Sequence, residues 1–272
     1  MRRIVLCADD YAFSPGVSAG IRELLAAGRL NATSVMTIFP ELETEAKALL
    51  SVKSPLRFQI GLHATLTGGF LPLAATPIPS PDGHLPMSRE TWPPFGFLRV
   101  SGTRVKAEVS AQLKKFIHAF GRAPDYVDGH QHVQLMPGVR GPFLEAVKEL
   151  APNAWVRQCG PARWSDELLN AKSRFLGLLS LGFRRRARDL DLSFNPAFSG
   201  AYGYDRPSDF GASFARFIDG MPEGGVVMCH PGHPDDILRA RDILTDQREK
   251  EFAFLAGEKM PAAMARAGVT LG

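Results

Sequence analysis

The sequence predicts an α/β fold closed as a βα-barrel, with residues 1–272 forming a single domain. Three observations carry this. Short apolar, β-rich runs alternate with helices of 3.6-residue periodicity, the pattern of parallel α/β proteins. The alternation gives about seven or eight units without an internal repeat or a break in composition, which suits one closed barrel better than an open sheet. The turn after the first run reads Asp9-Asp10-Tyr11-Ala12, where an open dinucleotide-binding sheet carries a glycine-rich loop.

The elements follow in order. Ile4 to Ala8 is a strand-length apolar run. Ser14-Pro15 caps a helix with Pro at its first position; Val17, Ile21, Leu24 and Leu25 mark its buried face, and Gly28 stops it. Strands are expected at Thr33–Phe39 and at Phe58–Leu62 ending on His63, with a helix over Glu41–Leu50 between them. Residues 67–98 read as a long irregular stretch holding seven prolines between Pro72 and Pro94. Starting from the strand that bears His63, the segment Gly68–Phe97 is expected to border a cleft. A helix resumes at Thr103–Phe120, its face set by Val105, Val109, Leu113, Phe116 and Phe120 before Gly121. Further strands are expected at Asp125–Asp128, Ala154–Gln158, Leu192–Asn195, Gly225–Cys229 and Val269–Leu271.

Composition excludes several classes. A net charge of +4 is mild for 272 residues, and the one basic cluster, Arg184-Arg185-Arg186 with Arg188, reads as a solvated helix end. No nucleic-acid partner is expected. No run approaches the roughly 20 apolar residues of a membrane span. Cys7, Cys159 and Cys229 lie far apart with no CxxC pair, which fits buried reduced thiols rather than a zinc ribbon or disulfides. The apolar run after Met1-Arg2-Arg3 is too short for a signal peptide, so a cytoplasmic setting is expected. A homodimer stays open.

Chemistry collects at strand ends. Asp9 and Asp10 follow the first strand, His63 the third, Asp128 and His130 the fourth, and His230 the strand near residue 228. In a βα-barrel these carboxyl ends converge on one face. Adjacent carboxylates after an apolar run are costly to bury without a cation or hydrogen bonds. Two imidazoles and one carboxylate make a three-ligand set with open positions; the second carboxylate is then free as a general base, and another histidine as an acid. In the HxH of His130 and His132 both rings can point to one face of a strand. His84 and His118 read as structural, and Arg157 either orients Asp9 or forms a surface salt bridge.

Ala8-Asp9-Asp10-Tyr11, Ile60-Gly61-Leu62-His63, Asp128-Gly129-His130-Gln131-His132-Val133 and Met228-Cys229-His230-Pro231-Gly232 together resemble, in order, the hallmarks of the YdjC/ChbG-like carbohydrate deacetylases. That group includes chitooligosaccharide deacetylases and the hopanoid-associated HpnK proteins. The resemblance runs to about residue 255, where Gln247-Arg248-Glu249-Lys250-Glu251 matches a late helix. It implies a distorted βα-barrel of the glycoside hydrolase/deacetylase type and a divalent ion, Mg²⁺ or Zn²⁺, on Asp10, His63 and His130. It also implies Asp9 as general base, His230 as acid, and an N-acetylated sugar as substrate. The chain departs from the family pattern at Tyr11-Ala12, where Phe-Gly is usual, and at Gln131, where a histidine often stands. On the residues alone, a metal-dependent phosphoester hydrolase and a non-catalytic sugar-binding protein remain as rival readings.

Overall fold

The computed structural model describes residues 1–75, 83–87, 101–162, 171–202 and 209–272. Of the proline-rich stretch expected to border the cleft, residues 76–82 and 88–97 lie outside the described residues.

The strands are β1 (Arg2–Arg3), β2 (Val5–Tyr11), β3 (Ala32–Val35), β4 (Gln59–Ala64), β5 (Tyr126–Gly129), β6 (Trp155–Val156), β7 (Phe198–Ser199), β8 (Val226–Cys229) and β9 (Val269–Thr270). The helices are α1 (Pro15–Ala26), α2 (Leu42–Leu50), α3 (Gly102–Phe120), α4 (Pro137–Leu150), α5 (Ala171–Asp189), α6 (Phe210–Ile218), α7 (Asp236–Arg241), α8 (Asp246–Ala256) and α9 (Lys259–Ala267). A 3₁₀ turn covers His130–Leu135.

Among the described residues, seven parallel strands form one curled sheet in the order β6-β5-β4-β3-β2-β8-β7. Its edges meet. The Val156 N–H donates to the Ser193 carbonyl at 2.9 Å and the Phe198 N–H to the Gly160 carbonyl at 2.9 Å, while β7 pairs with β8. The expected βα-barrel is therefore present, in distorted form. Helices cover its outside, so the strands are buried on both faces and read as continuous apolar runs.

Local chemistry explains the elements. Ser14 sits extended and accepts from the Val17 N–H at 3.3 Å, Pro15 opens α1, and Gly28 follows at φ 66°. The α3 helix buries its five expected apolar residues together with Glu108 and Gln112. Gln112 takes the Thr65 N–H at 2.8 Å and donates to the Thr65 carbonyl at 2.6 Å, fixing the chain just beyond His63.

Two expectations need correction. The strand placed at Leu192–Asn195 lies instead at Phe198–Ser199, and Phe194 contributes only an isolated bridge to Val156. Pro196 lacks a donor, and the Asn195 side-chain oxygen rather than a backbone carbonyl accepts from the Gln158 N–H at 2.8 Å. The last strand forms at Val269–Thr270 but pairs with β1, outside the seven-stranded sheet. The helix end at Arg184–Arg188 is solvated in part, with Arg186 on Glu145 at 2.8 Å and Arg188 over the Phe194 ring. Among the described residues, no helix is long and apolar enough to cross a membrane.

Candidate metal centre and catalytic site

The carboxyl end of β2 does not run on as a regular strand. Its register against β3 shifts between Ala8 and Tyr11, and Asp10 takes φ 69°. A left-handed aspartate is uncommon and costs about 1–2 kcal/mol. Here it turns two neighbouring carboxylates to different partners, so the division of Asp9 from Asp10 comes from a bulge rather than from simple strand alternation.

Asp10 meets the two histidines. Its Oδ1 lies 3.3 Å from His63 Nε2 and 3.2 Å from His130 Nδ1. These three side chains offer ligand atoms all within 4.8 Å of one another, and all are buried or nearly so. His63 stands in β4, with Nδ1 2.6 Å from Asp128 Oδ1. That bond places the ring proton toward Asp128 and leaves Nε2 facing Asp10, the orientation of a metal-ligating imidazole backed by a carboxylate. Burial lowers the His63 pKa, but Asp128 and Asp9 outweigh it and hold it at about 10. A proton and a cation thus compete for Nε2, and the buried mixed nitrogen and carboxylate set fits a divalent ion.

Asp9 turns to Arg157, which is fully buried. Burial alone would raise the Asp9 carboxyl; the guanidinium overrides it and holds the group well below the usual carboxylate range. Arg157 also lies 2.9 Å from Asp128 Oδ2, so one cation joins both acids. The surface-salt-bridge alternative for Arg157 is thereby excluded. Cys7, Asp9 and Asp128 form a second cluster of potential ligands, but this guanidinium is bonded into it. Ser34 donates to Asp128 at 2.6 Å, and Tyr126 bridges Ser34 and Cys7. All three cysteines are buried and in no disulfide, as their isolation in the sequence implied.

His130 and His132 do not share a face. Gln131 and His132 adopt φ 55° and 58°, and the turn sends His132 toward Cys159 Sγ at 3.6 Å and the Phe198 ring. Only His130 reaches Asp10. The Tyr11 departure also points away: its hydroxyl donates to the Glu45 carbonyl at 2.8 Å and accepts from Arg22 at 2.8 Å.

His230 follows β8 and is half-buried, its N–H donating to Glu251 Oε2 at 2.6 Å. Burial lowers its ring pKa to about 4 against the pull of Asp10 and Asp9. Helix α8 supplies two residues that the sequence reading left without a role, Arg248 and Glu251. Arg248 Nη2 lies 2.7 Å from Asp10 Oδ2, and Glu251 accepts from Tyr202 as well as from His230. Their signal is the i, i+3 spacing that sets both on one side of the late helix the resemblance matched at Gln247-Arg248-Glu249-Lys250-Glu251.

Comparison with known proteins gives the same family as these motifs. The YdjC-like protein family model matches residues 3–266. A carbohydrate deacetylase of Geobacillus stearothermophilus is 28% identical over 99% of this chain and 96% of its own length. A human carbohydrate deacetylase is 34% identical over 85% of this chain and 75% of its own. A solved Enterococcus faecalis structure, described as a cellobiose-phosphate cleavage protein, superposes with a TM-score of 0.77 at 19% identity. It covers 100% of this chain and 97% of that one, and so shares the fold. By the extent of the family match and by its relatives, this chain belongs to the YdjC-like family.

Proposed function

We propose that this chain is a carbohydrate deacetylase that hydrolyses the acetamide of an N-acetylated sugar, acting as one domain with a divalent ion, Mg²⁺ or Zn²⁺. The observation that carries the reading is the convergence of Asp10 Oδ1, His63 Nε2 and His130 Nδ1 beside an Asp9 locked by Arg157. The naming of its relatives as carbohydrate deacetylases supports the sugar substrate.

Asp10, His63 and His130 would hold the ion. When bound, it supplies Lewis acidity to the acetyl carbonyl and to the attacking water. Asp128 keeps the His63 ring oriented through Nδ1. Arg157 holds Asp9 ionised and aimed, so that Asp9 accepts a proton from the attacking water. His230 delivers a proton to the departing sugar nitrogen. With a pKa of about 4 it is neutral at rest, so that proton reaches it during turnover. The products are acetate and a free amine.

The phosphoester reading calls for two cations bridged by a carboxylate. The acidic cluster next to the proposed ion is engaged by Arg157, which argues against a second one. The test is incubation of metal-loaded protein with a panel of N-acetylated sugars and oligosaccharides, with acetate and free amine both quantified. Equimolar release supports the reading. Release of phosphate from sugar phosphates, with no acetate from any member of the panel, overturns it.

A further inference from the structure

Helix α8 buries a polar face of Gln247, Arg248 and Glu251 beside Leu255. Arg248 is fully buried. Its Nη2 donates to Asp10 Oδ2 at 2.7 Å and to Asp242 Oδ2 at 2.9 Å, and its Nε donates to the Leu244 carbonyl at 2.9 Å. The guanidinium carbon lies 5.7 Å from the centre of the Phe13 ring. Nη1 is buried and makes no hydrogen bond among the described residues. An orphaned buried donor costs stability, so hydrogen bonding alone is a poor reason for an arginine here.

Its effect is to divide the oxygens of Asp10. Oδ1 faces His63 and His130, while Oδ2 is occupied by Arg248. Around the group, Asp9, Asp10, Asp128 and Asp242 face Arg157 and Arg248, leaving two excess negative charges. Without Arg248 the excess would be three. We propose that Arg248 is a positioning residue that confines Asp10 to one ligating oxygen and offsets part of its charge, so the ion is held less tightly but polarises the acetyl group more strongly. This rests on the cation reading above. At an effective dielectric near 20, a unit charge a few ångström from a divalent ion changes its affinity by more than about tenfold.

The test is calorimetric titration of Mn²⁺ into chelator-stripped wild type and variants, with kcat and KM on an N-acetylated oligosaccharide and near-ultraviolet dichroism as a check of folding. Arg248→Met is expected to bind Mn²⁺ at least about tenfold more tightly while kcat falls at least about tenfold and KM changes little. Arg248→Lys, which keeps the charge, should return both toward wild type. Asp242→Asn frees Arg248 for Asp10 alone and should weaken Mn²⁺ binding. Weaker binding in a folded Arg248→Met overturns the proposal. If that variant does not fold, tighter binding in Asp242→Asn, or Mn²⁺ affinity in folded Arg248→Lys that departs from wild type by about tenfold or more, overturns it instead. Wild type and Asp10→Asn titrating alike would overturn the cation reading, and this proposal with it; loss confined to the Arg248 results overturns only the role of Arg248.

Discussion

Arg157 grips Asp9 with both arms of its guanidinium, Nη1 to Oδ1 at 2.8 Å and Nη2 to Oδ2 at 2.7 Å, with neither side chain open to solvent. The fork fixes the plane of the carboxylate as well as its charge. Arg157→Met would leave Asp9 and Asp128 buried without their shared cation. The expected cost is about 3–5 kcal/mol of stability, read by denaturant unfolding. Arg157→Lys should keep much of that stability yet lose the fork, lowering kcat by about tenfold or more.

Asp9 and Asp10 are expected to fail differently. Asp10→Asn should lose cation affinity and activity together. Asp9→Asn should keep the cation and lose about 10²–10⁴-fold in kcat with a modest change in KM. Because Asp9 is bonded at both oxygens, this variant should also melt lower. Near-normal kcat in metal-bound Asp9→Asn would rule it out as the base.

Gly61 lies two residues before His63 in β4, and a Cβ there would meet the Tyr126 ring at 2.4 Å. Tyr126 has no room to retreat, since its other side stacks on Trp155 with ring centres 4.4 Å apart. Gly61→Ala should therefore cost about 1–3 kcal/mol by overpacking and displace His63. Thermal unfolding and cation affinity should both fall.

Glu251 carries a pH dependence of definite sign. Burial raises its pKa from 4.5 to about 7, above the unfolded value. Its contribution to stability is complete below about pH 4.5 and is lost as pH rises through about 7. Urea unfolding of wild type and Glu251→Gln across this window should show the wild type losing stability relative to the variant as pH rises. Parallel curves would contradict a raised pKa.

The legible part of the site was the part that interrupts an apolar run. Asp9 and Asp10 after Leu6-Cys7-Ala8, and His63 after Ile60-Gly61-Leu62, stand out because burying such groups needs a compensating partner. The barrel was legible for the same reason, through doubly buried strands and a capped α1. Three features were not. The turn at Gln131 and His132 uses φ values that no side-chain preference announces, so the HxH spacing pointed to a shared strand face that does not exist. Arg248 and Glu251 belong to a buried face with almost no apolar residues, which hydrophobic periodicity cannot separate from a solvated one. Asp128 was placed at its strand end, but its backing of His63 depends on the pairing of β4 with β5, a tertiary fact.

The most direct test of the central claim is acetate release from an N-acetylated oligosaccharide by chelator-stripped protein, before and after one equivalent of divalent ion is restored. With Asp10, His63 and His130 as the ligand set, the stripped protein should be slower by at least about 10²-fold and should recover on addition of the ion. Stripped protein, shown metal-free by elemental analysis, that releases acetate at the undiminished rate would contradict the account.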